Sequence, residues 1–155
     1  MKIVGLAYVA FLLLSLAGMT LRNIPLQLVG SATGFVLAML LYQLFAPAEP
    51  HIALVLLPLA FIHYVIQGVG QVRIDAGMLR LALVPFAVYL MVLGYLIARS
   101  TFAPVALGVL IALAGPAWLI AVVPRVPTWS TLAVVLFGVV AELALAIWLL
   151  IAPER

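Results

Sequence analysis

The chain has 155 residues, 69% hydrophobic and 7% charged, with seven basic and four acidic side chains, a net charge of +3 and a mean hydropathy of +1.43. So few charges cannot cover the surface of a water-soluble domain, and the unbroken apolar blocks lack the alternation of a transmembrane barrel, which leaves an all-α integral membrane protein. Cysteine is absent, so disulfides, thiol nucleophiles and thiolate metal sites are excluded, and the basic residues are scattered singly as loop and headgroup charges rather than clustered for nucleic acid.

A helical crossing takes about 20 apolar residues, so six crossings use roughly 120 and leave about 35 for short loops and tails. The reading is a single domain, 1–155, folded as a six-transmembrane-helix bundle. Lys2 followed by an apolar run imitates a signal peptide, but no A-x-A site follows and a second apolar block comes within a few residues, so the first segment is expected to be retained. Span one covers 3–20, and Arg22, Asn23 and Pro25 mark the first loop. Span two covers 26–45 and is closed by Pro47, Glu49 and Pro50. Span three covers 51–70, followed by Gln71, Arg73 and Asp75 in the most polar connection. Span four covers 78–98, with Arg80 near enough to its end to snorkel to the headgroups. Span five covers 102–123 and is ended by Pro124, Arg125 and Pro127. Span six covers 130–152, with Ser130 as its expected N-cap and Pro153 after it.

Six crossings put both termini on one side, and short connections make sequential helices antiparallel neighbours. Lys2, Arg99 and Arg155 then face Arg22, Arg73, Arg80 and Arg125, a balance that leaves membrane orientation open. Trp129 and Trp148 are 19 residues apart, about 28 Å at helical rise, which matches two aromatic belts. Gly30, Gly34 and Ala38 make a small-residue face on span two that lets another helix approach, either within the bundle or across a homo-oligomer. Pro58, Pro85 and Pro116 fall inside spans three, four and five, where neighbours repair the backbone or a kink opens a cavity.

Few residues here can carry chemistry. Glu142 is the one acid inside an apolar block, where an ionised carboxylate is expensive, so it is expected to be neutral, paired or in a wet cavity. It serves either as hydrogen-bond glue between helices or as a proton acceptor or ligand contact. His63 lies mid-span, followed by Tyr64 and, one turn on, by Gln67 on the same face. His63 is either a satisfied structural histidine or a pocket residue. No metal or cofactor is implied, because His51 lies about 18 Å from His63 along the axis and no further ligands are on offer. Tyr42 and Gln43 are either interfacial or an extension of the polar patch. The expected intramembrane pocket is therefore Glu142, His63, Gln67, Tyr64 and Gln43. The depths of Glu142 and His63 differ by about 5 Å from span midpoints or about 9 Å from His51 and Trp148 as interface markers, and a direct bond needs the smaller figure. No phosphate loop, nucleophile elbow or metal-binding helix motif is present.

The run Gly94-Tyr-Leu-Ile-Ala-Arg-Ser100, then Phe102-Ala-Pro104, Leu107-Gly108-Val-Leu and Leu113-Ala-Gly115, resembles a stretch in a family of bacterial multi-spanning proteins, domain of unknown function 4386. The closing helix, Ala141-Glu142-Leu-Ala-Leu-Ala-Ile-Trp148-Leu-Leu, is similar to that family's last segment, and Leu37 through Tyr42, Pro47 and Ala53-Leu54 are similar more loosely. The resemblance implies a six-span protein of a bacterial cell membrane and no known activity. Two readings remain: a non-catalytic membrane protein, either an accessory subunit with a protein partner or a binder of a small apolar or lipid molecule, and a proton-coupled transporter or membrane enzyme using Glu142 and His63. An enzyme normally gathers more convergent polar groups than one acid, one histidine and two glutamines, which favours the first.

Overall fold

The computed structural model describes residues 1–123 and 127–152, and all of its regular structure there is helical. Six helices follow in order: α1 (Lys2–Thr20), α2 (Ile24–Phe45), α3 (Pro50–Arg73), α4 (Ala76–Arg99), α5 (Val105–Val122) and α6 (Thr128–Ile151). Each is long and apolar enough to cross a membrane, so the protein is a multi-pass membrane protein. Pro124, Arg125, Pro153 and Arg155, which the sequence assigns to the ends of spans five and six, lie outside the described residues.

Helix ends differ from the expected spans for local reasons. Gln71 and Arg73 do not form a polar loop, because α3 runs on to Arg73 and only Ile74 and Asp75 separate it from α4. Asp75 N–H bonds the Gly70 carbonyl and Ile74 N–H that of Gln71, a Schellman closure with Ile74 left-handed at φ 54°. Asp75 then turns directly into the cap of α4, its carboxylate accepting from the N–H groups of Gly77 at 2.8 Å and Met78 at 3.2 Å. The α1–α2 turn repeats the device: Arg22 is left-handed at φ 50°, Asn23 N–H bonds the Gly18 carbonyl, and the Asn23 side chain caps α2 by accepting from Leu26 N–H. Holding a β-branched residue such as Ile74 in that region costs about 1–2 kcal/mol, which the two hydrogen bonds and the cap offset. The fifth helix begins at Val105 rather than Phe102, after Pro104, and the sixth begins at Thr128 after Pro127, which leaves Ser130 inside the first turn and not at the cap. Pro58, Pro85 and Pro116 all sit within helices that continue through them.

Sequential helices pack side by side, and α6 returns to α1, which closes the six into a ring. At the closure, a methyl group on Gly5 would stand 2.9 Å from the Leu150 nitrogen, so the start of α1 and the end of α6 lie together. That end also carries the α2–α3 and α4–α5 connections and is called here the Phe45 end. The opposite end carries the Arg22 and Ile74 turns and is the Ile74 end.

The two halves of the ring are packed differently. The largest fully buried side chains, among them Leu41, Phe45, Leu56, Leu93, Ile111 and Leu149, all lie in the half of their helices nearer the Phe45 end. Phe45 stacks on Phe102 at 5.4 Å, and Phe102 on Trp148 at 6.1 Å, an aromatic cap over this core. Outside the cap, Arg99 pairs with Glu49 at 3.6 Å, an exposed ion pair of little energetic weight. In the Ile74 half, by contrast, Gln27, Ser31, Gln67 and Gln71 enter the interhelical space.

Candidate functional site

Glu142 is 4% exposed and accepts a hydrogen bond from the Tyr8 hydroxyl across the α1–α6 closure. Tyr64 of α3 and Tyr89 of α4 also lie within electrostatic reach of the carboxyl, so three phenols from three helices surround one acid. Aromatic contacts hold the phenols in place: Phe11 sits edge-on to Tyr8 at 6.3 Å and to Tyr64 at 6.2 Å, and Phe86 stacks on Tyr89 at 6.3 Å. The small-residue face of α2 makes room for this cluster. A methyl group on Gly34 would overlap the Tyr64 hydroxyl and stand 2.7 Å from Phe11, while Gly30 lies beside Ser15 of α1 and Ala38 is buried.

His63 is buried at 6% exposure, and its Nδ1–H donates to the Ala82 carbonyl of α4 at 2.7 Å. That bond leaves Nε2 as the acceptor of the neutral ring. The ring stacks on Phe86 at 4.7 Å and meets the edge of Tyr64 at 4.6 Å. His63, Tyr64, Phe86 and Tyr89 thus form an aromatic layer around a void that admits no water molecule. No hydrogen bond or ion pair among the described residues joins Glu142 to His63, which lines both this void and a cavity that it shares with Gln67.

On the Ile74 side of this layer lie two adjoining cavities of about 420 and 280 Å³ that share Gln27, Gln71 and Leu79. Arg22 lines the larger, and Arg80, Gln67 and His63 line the smaller. Gln27 donates to the Gly18 carbonyl at 3.0 Å, and Ser31 donates to Gln71 Oε1 at 3.4 Å. Gln67 Oε1 is buried beside the smaller cavity and accepts no hydrogen bond from the described residues, so it is an acceptor without a protein partner. Among the described residues Arg22, Arg73 and Arg80 make no ion pair, unlike Arg99 at the other end. An open groove of about 300 Å³ on the outer face between α2 and α3 is walled by Leu28, Phe35, Phe61 and Val65, and its lining residue Ser31 is hydrogen-bonded to Gln71, a residue of the chamber wall.

Of the residues expected from the sequence, Glu142 and Tyr64 share one cluster, and His63 and Gln67 share the chamber that Tyr64 separates from Glu142. Gln43 is exposed near the Phe45 end of α2, 12 residues or about 18 Å from Ser31, and belongs to neither. Tyr8, Tyr89, Gln27, Ser31 and Gln71 are site residues that the sequence reading does not single out. Tyr89 carried a usable signal, since it lies 13 residues into α4 and ten from its end, whereas membrane tyrosines favour the interface. Among the described residues, no three side chains of the His, Cys, Asp or Glu type converge on a point that would hold a metal ion.

Fold and site together define a six-span membrane protein in which Glu142 sits between a sealed half and an open half. The chain belongs to the family described as domain of unknown function (DUF4386), whose family model matches residues 73–152. The match takes in α4 to α6, and with them Tyr89, Trp118 and Glu142, while His63, Gln67 and Gln71 fall before it. No curated protein and no solved structure matches the chain.

Proposed function

We propose that the protein binds an anionic amphiphile, a phospholipid-like molecule, taken from the leaflet at the Ile74 end. The observation that carries this reading is the Ser31–Gln71 hydrogen bond, which ties the wall of an apolar groove open to lipid to the wall of a chamber whose two arginines, Arg22 and Arg80, have no ion-pair partner among the described residues. The groove suits an acyl or isoprenoid chain because Leu28, Phe61 and Val65 are exposed along it. Arg22, Arg80 and the amides of Gln27 and Gln71 suit a phosphate, since charge-assisted bonds from guanidinium groups are the strongest available at headgroup depth. Binding of this kind needs no catalytic constellation, and it fits a non-catalytic protein that works alone or as an accessory subunit of a larger complex.

The test is native mass spectrometry of the purified protein with equal amounts of an anionic and a zwitterionic phospholipid of the same chains. Wild type is expected to retain the anionic lipid about tenfold more, the double variant Arg22→Ala/Arg80→Ala to lose that preference, and Ala32→Trp, which fills the groove, to lose both lipids. Equal retention of the two lipids by wild type would contradict the reading.

A further inference from the structure

The packing around Glu142 is one-sided in a way that ligand binding at the groove does not require. Toward the Phe45 end, nine residues of α6, or about 13 Å, separate Glu142 from the end of the helix. That depth is filled by Leu93, Leu96 and Ile97 of α4, Leu145 and Leu149 of α6, and Leu41 and Phe45 of α2, all at most 1% exposed. Among the described residues the buried side chains with polar atoms on that side are Tyr8, whose hydroxyl is turned to Glu142, and Ser100, at the very end, whose hydroxyl is engaged by the Ile97 carbonyl at 2.7 Å. Toward the Ile74 end, a single layer of His63, Tyr64, Phe86 and Tyr89 stands between the carboxyl and a cavity of about 280 Å³ lined by Gln27, Gln67, Gln71 and Arg80. A cavity of that size with several polar partners holds water.

From this geometry we infer that Glu142 exchanges its proton with one side of the membrane only, the Ile74 side, through the amide-lined chamber and the His63–Tyr64 contact. His63 receives a proton from a chamber water at Nε2, since Nδ1–H is held by the Ala82 carbonyl. The imidazolium then gives up its Nε2 proton across the edge contact with Tyr64, the proton ends on the Glu142 carboxylate, and His63 returns to its neutral form. His63 gains one proton and loses one, so the net change is one O–H bond formed on Glu142 and one proton taken from the water. The titratable groups that face Glu142 are Tyr8 of α1, Tyr64 of α3 and Tyr89 of α4; α2 presents Gly34 to this cluster, and α5 presents Trp118 to Phe86. Among the described residues no charged side chain faces it, so the carboxyl is the group that changes charge when a proton arrives. Neither the arginines at the chamber mouth nor the outer groove takes part, and the inference stands whether or not a lipid binds there.

The decisive experiment uses the full chain, oriented one way in sealed vesicles, and follows the Glu142 carboxyl band in infrared difference spectra, assigned by its absence in Glu142→Gln. A pH step applied on the Ile74 side is expected to change the band, and the same step on the Phe45 side to leave it unchanged. His63→Phe keeps the stack on Phe86 and removes the base, and should slow the response at least about tenfold, the scale of a lost acid–base relay. Gln67→Leu, which dries the chamber without touching the aromatic layer, should slow it too. A response to the Phe45-side step, a band that answers neither step, or full speed in both variants would overturn the inference.

Discussion

Replacing Gly94 with alanine should destabilise the bundle by about 2 kcal/mol, although alanine is the better helix former by about 1 kcal/mol. Gly94 of α4 and Gly108 of α5 face each other at a close backbone-to-backbone contact. A methyl group on Gly94 would overlap the Ala112 nitrogen and stand 2.5 Å from the Gly108 carbonyl oxygen, and one on Gly108 would stand 2.6 Å from the Gly94 oxygen. These are backbone atoms, which cannot rotate aside, so relief requires the two helices to separate. Separation would loosen Leu90, Leu93, Ile97 and Ile111, all fully buried near the contact, at the upper end of the roughly 1–3 kcal/mol range for overpacking. Gly68→Ala is the control, because its methyl would find Leu28 at an ordinary 3.7 Å. Unfolding of both variants in mixed micelles measures the difference. A Gly94 variant as stable as the Gly68 variant would show that the close approach is not rigid.

Tyr8→Phe should cost about 1–3 kcal/mol, because it leaves the ring packed on Phe11 and removes the one hydroxyl that donates to Glu142. A carboxyl facing apolar neighbours has no water to fall back on, so the lost donor is felt in full. Glu142→Gln keeps an oxygen acceptor for Tyr8 and should be milder. The double variant separates the pair from its surroundings: a coupling of about 1 kcal/mol is expected, within the range measured for residues in direct contact. Coupling near zero would mean that Tyr8 and Glu142 stabilise the ring independently.

The six crossings were legible because length and apolarity alone decide a membrane span, and Glu142 was legible because an acid at that depth is costly wherever it points. The rotation of each helix about its axis was not. In helices apolar on every side, no polar stripe marks the inner face, so depth alone separates Tyr89, mid-way along α4, from Tyr95, which lies four residues from the helix end and is 43% exposed. Gln71 was misplaced for a different reason. A polar residue beside Arg73 and Asp75 reads as loop, and only the left-handed Ile74 closure lets α3 continue through Gln71 and carry its side chain inward to Ser31. Gln43, which the sequence leaves either interfacial or an extension of the patch, lies exposed near the end of its helix. The Gly94–Gly108 contact is invisible locally because its partners are on different helices, whereas Gly30, Gly34 and Ala38 announce themselves by spacing on one.

A ring sealed at one end and wet at the other is tested most directly by cysteine accessibility, since the chain has no cysteine of its own to interfere. Gln67 and Leu93 lie at matched depths, each six residues or about 9 Å from its helix end, Gln67 from the Ile74 end and Leu93 from the Phe45 end. In sealed, oriented vesicles a membrane-impermeant thiol reagent should label Gln67→Cys from the Ile74 side and should fail to label Leu93→Cys from either side. Labelling of Leu93→Cys from the Phe45 side, or a silent Gln67→Cys in a folded protein, would contradict the account.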